Sequence, residues 1–183
     1  MKLKALLLID IQNDYFPNGK MELVGSESAG LMAGKLLAAC RDKNLPVFHI
    51  QHISTRPDAA FFLQNTTGVE VHPCVKPFAN EPVIRKNFPN SFRETTLLRD
   101  LQAASVTELI IAGMMTHMCI DSTVRASCDL GFACTLAHDA CATRDLSFNS
   151  KTVSALDVQT ACMAALNGFF ANVLDTASIC AGL

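Results

Sequence analysis

The sequence predicts an α/β fold: a three-layer sandwich with helices on both faces of an open, mostly parallel six-stranded sheet of order 3-2-1-4-5-6. Three observations point there. Continuous apolar runs of strand length recur along the chain, longer stretches with helical spacing separate them, and chemically active residues stand where several of the runs end. Strands alternating with helices in this way imply parallel pairing through crossover helices. At 183 residues the chain is long enough for a full core without disulfide staples and reads as one domain over 1–183.

A central parallel strand is covered on both faces, so it appears as an unbroken apolar run. Ala5-Leu6-Leu7-Leu8-Ile9, closed by Asp10, is the first. A helix follows from about Ser26 to Lys43, with Leu31, Leu36 and Leu37 assigned to one face. The second strand covers 46–51, and Pro82-Val83-Ile84-Arg85 is a short third strand with Lys86 at its end. Between them, from about 54 to 80, lies an irregular segment carrying Pro57, Gly68, Pro73 and Pro77 together with Phe61, Phe62, Val69, Val71 and Phe78. Loops this long inside compact domains are usually lids or binding loops. A helix over about 95–104 precedes the fourth strand, Leu109-Ile110-Ile111-Ala112. A turn carrying Cys119 and a helix through Ser122–Cys128 follow. The fifth strand covers 132–137, an Ala-rich helix runs from Lys151 to about Asn167, and a last strand covers 170–174.

In doubly wound sheets ligands bind beyond the carboxyl ends of the strands, at the point where strand order reverses. Strands 1 and 4 are neighbours there, so Asp10, Lys86 and Cys119 converge at one rim. A cysteine entering a helix meets unpaired N–H groups and the positive end of the helix dipole. With a lysine nearby, the expectation is a thiol pKa below the ordinary value of about 8.5. Neither a G-x-G-x-x-G turn nor a P-loop occurs, so no nucleotide cofactor is expected.

Composition narrows the partners. Half of the residues are hydrophobic and 17% charged, which argues against disorder. A formal charge of −2 and a pI near 6.2 leave no basic footprint for nucleic acid or an anionic membrane. No signal peptide or membrane-spanning run is visible. The eight cysteines form no C-x-x-C pair and read as reduced thiols of a cytoplasmic protein, with Cys40, Cys74, Cys128, Cys134, Cys141, Cys162 and Cys180 assigned to packing.

Five motifs resemble those of the isochorismatase-like cysteine hydrolases, a family that includes nicotinamidases and N-carbamoylsarcosine amidases. They are Leu8-Ile9-Asp10-Ile11-Gln12-Asn13-Asp14-Tyr15-Phe16; Glu81–Lys86 with Asn90-Ser91-Phe92; Gly113-Met114-Met115-Thr116-His117-Met118-Cys119 with Thr123 and Arg125; Asp139-Ala140-Cys141-Ala142-Thr143; and Ala165-Leu166-Asn167-Gly168 with Phe170-Ala171. The resemblance runs from Leu6 to about Ala177. It implies a catalytic triad in which Cys119 attacks a carbonyl, Asp10 moves the proton and Lys86 balances charge. It also implies a cis peptide at Met114–Met115 and an oxyanion hole from the N–H groups of Met115 and Cys119.

Phe16, His49, Gln51, His52, Thr116 and His117 are the expected substrate contacts. Metal-binding nicotinamidases carry Asp-x-His after the second strand and a later His; here Gln51-His52-Ile53 stands in that region, with His72 beyond, so no metal is expected. The expected activity is hydrolysis of a linear C–N bond in a small amide, carbamoyl or ureido compound, without a cofactor. Isochorismatase activity proper is disfavoured, because that vinyl-ether hydrolysis does not need the cysteine. Family habit implies a homo-oligomer, a dimer or a tetramer. Phe61 and Phe62 serve either as a lid or as a subunit contact. The alternative is a non-hydrolytic small-molecule binder or thiol redox sensor, which would not depend on Asp10 and Lys86.

Overall fold

The computed structural model describes residues 3–183. In chain order it comprises β1 (Leu3–Ile9), α1 (Ser26–Asp42), β2 (Val47–His52), β3 (Val83–Lys86), α2 (Leu97–Ala103), β4 (Val106–Met114), α3 (Asp121–Asp129), β5 (Ala133–Ala142), β6 (Leu146–Phe148), β7 (Lys151–Val153), α4 (Ala155–Leu166), β8 (Asn172–Leu174) and α5 (Thr176–Ala181). The main sheet has order β3-β2-β1-β4-β5-β8. All its pairings are parallel. This is the expected arrangement, with β8 as the sixth strand.

β1 is central, so its two sets of alternate side chains enter two separate cores. Leu6 and Leu8 pack with Ala29, Ala33, Leu36, Leu37 and Cys40 of α1. Ala5, Leu7 and Ile9 pack on the other face with Leu97 and Leu101 of α2 and Val124 of α3. Where β4 passes β1, Gly113 pairs with Ile9 at φ 144°, and a Cβ there would collide with the Ile9 carbonyl. That position accepts only glycine without moving the strands apart.

Three readings need correction. Leu31 is 57% exposed. The buried stripe of α1 is 29, 33, 36, 37 and 40, and at 100° per residue position 31 lies off it. The helix expected from Lys151 begins only at Ala155, capped by the Ser154 hydroxyl accepting from the Asp157 N–H at 3.2 Å. Residues Lys151–Val153 instead pair antiparallel with Leu146–Phe148 across Asn149 and Ser150, both left-handed. Two consecutive positive φ angles form the tight turn whose twist suits a hairpin, and Asn is a residue that tolerates them. Finally, α5 closes the chain behind an Asp175 cap, an element the apolar pattern alone did not reveal.

Candidate active site

The rim at the carboxyl ends of β1 to β4 is built by local backbone features. The chain leaves β1 at Asp10 with φ 52°, a left-handed conformation that Asp tolerates better than most residues. β2 ends at His52, directly opposite Lys86 at the end of β3. β4 ends at Met114, the Met114–Met115 peptide is cis, and a π-helical turn, Thr116–Ile120, carries Cys119 into α3.

These ends converge. Lys86 Nζ lies 2.7 Å from Asp10 Oδ2. A carboxylate oxygen of Asp10, the Cys119 sulfur and a ring nitrogen of His52 all lie within 4.8 Å of one another. The centre is nearly sealed, with relative exposures of 0% for Asp10, 1% for Lys86 and 4% for Cys119. Lys86 also donates to the Pro89 carbonyl at 3.0 Å. Thr123 of α3 fixes the loop that presents this carbonyl, through contacts of its hydroxyl with Ser91 N at 3.1 Å and Ser91 Oγ at 2.9 Å. The Asn90-Ser91-Phe92 motif and Thr123 thus belong to one device that seats the lysine.

Burial alone would depress the Lys86 ammonium, but the Asp10 carboxylate and the Cys119 sulfur outweigh it and hold its pKa above that of an ordinary lysine. Cys119 goes the other way from the expectation. Burial raises the thiol, the Asp10 charge raises it further, and Lys86 offsets only part, leaving it well above the ordinary thiol range. The lysine is held against the aspartate, so it cannot act on the sulfur alone. The resting centre is therefore an ammonium–carboxylate pair beside a protonated thiol.

Thr116 and His117 reach the site already tied to protein. Thr116 Oγ1 lies 2.6 Å from Gln159 Oε1, and His117 Nδ1 lies 2.6 Å from Thr143 Oγ1. His52 stands beside the triad. His49 and Gln51 point elsewhere. His49 Nε2 contacts Glu81 Oε2 at 3.0 Å, and Gln51 Nε2 donates to the Val69 carbonyl at 2.9 Å. Both alternate with His52 along β2, and the two-residue period of a strand turns them to the opposite face from the side chain that faces Cys119. Phe16 stacks on His72 at 3.6 Å between ring centroids and packs against Gly30 of α1. Tyr15 is the aromatic whose hydroxyl feels Cys119 and Asp10; burial first, then these charges, raise its pKa well above that of a free tyrosine.

Beside His52, Phe62 forms an aromatic cluster with Tyr15 (4.6 Å), Phe61 (5.0 Å) and His52 (5.8 Å). Buried Asp14 fixes the backbone of this cluster, accepting from the Phe62 N–H at 2.6 Å. Besides Tyr15, sequence reasoning passed over Gln12, which clamps His52; Gln159, which holds Thr116; and Arg144, an exposed cation whose charge reaches Tyr15 and His117. Gln12 and Tyr15 lay inside a quoted motif, whereas Gln159 and Arg144 carried no local signal.

The donor set of Asp10, His52 and Cys119 has the spacing of a metal site. It fits one poorly, because the Lys86 ammonium already occupies the Asp10 carboxylate and would repel a second cation. The residues at the nicotinamidase ligand positions fit no better: Gln51 is bonded to Val69, and Ile53 packs on the core.

Fold and site together define a doubly wound α/β hydrolase with a carboxylate–ammonium–thiol centre at its switch point. The chain belongs to the isochorismatase family: the Isochorismatase domain model matches residues 4–178. It is 52% identical over 172 residues to the uncharacterized isochorismatase family protein YddQ of Bacillus subtilis, covering 94% of this chain and 96% of that one. An isochorismatase-family crystal structure from Oleispira antarctica superposes with a TM-score of 0.96 at 47% identity, covering 99% of this chain and 97% of that one. Streptothricin hydrolase of Streptomyces noursei is 34% identical over 143 residues, 78% of this chain and 51% of the relative's length. Among the described residues no helix is long and apolar enough to cross a membrane.

Proposed function

We propose that this chain hydrolyses a linear C–N bond in a small amide, carbamoyl or ureido compound through a thioester on Cys119. The observation that carries the reading is one buried carboxylate, Asp10, placed between the Lys86 ammonium and the Cys119 thiol. A substrate displacing water from the site strengthens these electrostatic interactions. Asp10 takes the thiol proton as the sulfur attacks the carbonyl carbon. The oxyanion develops toward the N–H groups of Met115 and Cys119, donors of a kind worth roughly 3 kcal/mol of barrier each. Asp10 returns the proton to the leaving nitrogen, and the C–N bond breaks. Water then attacks the thioester and gives a proton to Asp10; the C–S bond breaks, Asp10 returns that proton to the sulfur, and a carboxylic acid, or a carbamic acid from a carbamoyl or ureido substrate, leaves. Lys86 balances the charge on Asp10 between these transfers.

The streptothricin hydrolase relative supports a hydrolytic reading. A redox-sensing role fits less well, since a sensor needs an accessible, low-pKa thiol and Cys119 is buried with a raised one. The test is ammonia or amine release from amides, carbamoyl acids and ureido acids by the wild-type chain and by Cys119→Ala. Release by the wild type, lost by at least a thousandfold in a folded Cys119→Ala, is the expected result. Equal turnover by both would overturn the mechanism.

A further inference from the structure

Of the polar side chains around Cys119, the His52 ring has a nitrogen within 4.8 Å of the sulfur and makes no hydrogen bond to protein among the described residues. Thr116 and His117 are occupied by Gln159 and Thr143. Asp10 and Lys86 are paired with each other and form the proton-moving and charge-balancing part of the site. Among the described residues nothing hydrogen-bonds the His52 ring, although its backbone is among the most firmly held at the rim. The Gln12 carboxamide grips it at both ends, accepting from the His52 N–H at 2.8 Å and donating to the His52 carbonyl at 2.9 Å. Gln12 is itself fully buried and donates again to the Val69 carbonyl at 2.7 Å. A side chain amide thus extends β2 where the sheet runs out, and it fixes where the ring points. Burial lowers the His52 pKa, with Asp10 opposing and Lys86 assisting, so the neutral ring, which carries one acceptor nitrogen, is favoured.

We infer that His52 accepts a hydrogen bond from an N–H of the bound substrate, with Gln12 as its positioning residue, and so selects N–H-bearing amide, carbamoyl or ureido groups over N-substituted or ester analogues. This rests on the hydrolytic reading of Cys119 and names which member of the substrate class the site prefers. The geometry allows it. A reacting group lies about 3–3.5 Å from the attacking sulfur, and a hydrogen-bonded nitrogen about 2.9 Å from its acceptor. Those reaches together exceed the 4.8 Å limit on the separation of the sulfur from the imidazole nitrogen. One substrate amide can therefore touch both at once. The oxyanion donors read the carbonyl oxygen, which esters and amides share; only a group reading the nitrogen side separates them. Sites built to pair a substrate N–H reject analogues lacking it, because the buried acceptor is then left unpaired.

The experiment uses covalent probes, so that it does not depend on finding the natural substrate. Cys119 is alkylated at pH 9 with iodoacetamide and with its N,N-dimethyl analogue, and both rates are read by mass spectrometry on the Cys119 peptide. The preference is the ratio of these rates, divided by the same ratio for a small thiol in solution. In the wild type it should be about tenfold in favour of the N–H probe, the effect of one neutral hydrogen bond. His52→Phe keeps a flat ring but no acceptor and should bring the preference to unity. His52→Asn restores an acceptor and should recover part of it. Gln12→Ala should lower it while thermal unfolding still reports a folded chain. An equal preference in the wild type and His52→Phe overturns the assignment. Turnover of ureido and N-methyl ureido acids is measured alongside. A preference that collapses in His52→Phe, where wild type and Cys119→Ala turn over a panel substrate equally, would sink the hydrolytic reading and leave His52 as the N–H reader.

Discussion

Two buried charge clusters share the β2 side of the sheet, and they are finished differently. Glu81 is saturated. Its carboxylate accepts from Arg41 Nε at 2.8 Å, Arg41 Nη2 at 2.7 Å, the Phe78 N–H at 2.9 Å and His49 at 3.0 Å. Burial opposes its ionisation, but these donors win and bring its pKa down to about 2. Asp10 has only the Lys86 ammonium at 2.7 Å and the Cys119 thiol beside it, far fewer donors than Glu81. A carboxylate held by four donors stays ionised well below its ordinary pKa. One with lone pairs free can take a proton from a neighbour and give it back. The first arrangement ties α1 to the segment before β3; the second is equipped for chemistry.

Several measurements would break or sharpen that contrast. The largest effect belongs to Asp10→Asn, which should reduce turnover by at least a thousandfold, while Glu81→Gln should stay within about twofold of wild type in the same assay. Comparable losses in both would erase the distinction between the clusters. Next, the alkylation rate of Cys119 in the resting enzyme should climb about tenfold per pH unit through the ordinary thiol range without levelling, because the folded thiol titrates above it. A plateau near neutral pH would mean a resting thiolate.

Stability gives smaller effects. Asp10→Asn leaves Lys86 buried without its counter-charge and should cost about 3 kcal/mol by denaturant unfolding. The double variant Asp10→Asn/Lys86→Met should recover most of that loss while remaining inactive, which separates folding from catalysis. Glu81 makes a pH-dependent contribution. Its folded pKa of about 2 lies below the ordinary 4.5, so the stabilisation is complete above pH 4.5 and is lost as pH falls toward 2. Wild type should lose on the order of 2 kcal/mol across that window, and Glu81→Gln should lack this dependence. Thr143→Val, which removes the partner of His117, should cost about 1 kcal/mol and leave the other effects unchanged.

The sheet and the triad were legible because both depend on short-range signals. An apolar run such as 5–9 declares a doubly buried strand by its lack of alternation, and parallel topology places strand ends on a common rim wherever their sequences lie. Asp10, Lys86 and Cys119, separated by tens of residues, could therefore be brought together from sequence, and the structure does so. The β6–β7 hairpin was legible in principle from Asn149-Ser150 and was lost to the helical appearance of the Ala-rich stretch behind it.

What tertiary structure alone decided was direction and protonation. Which of His49, Gln51 and His52 faces the sulfur depends on strand register relative to β1 and on the Gln12 clamp, a contact across 40 positions of sequence. The thiol rests protonated because burial and a carboxylate already paired with lysine outweigh the helix end that sequence position suggested. Sequence carries the periodicity that makes strands and the identity of the groups at their ends. Dielectric surroundings and hydrogen-bond partners are sums over the whole packed molecule, so they exist only once it is folded.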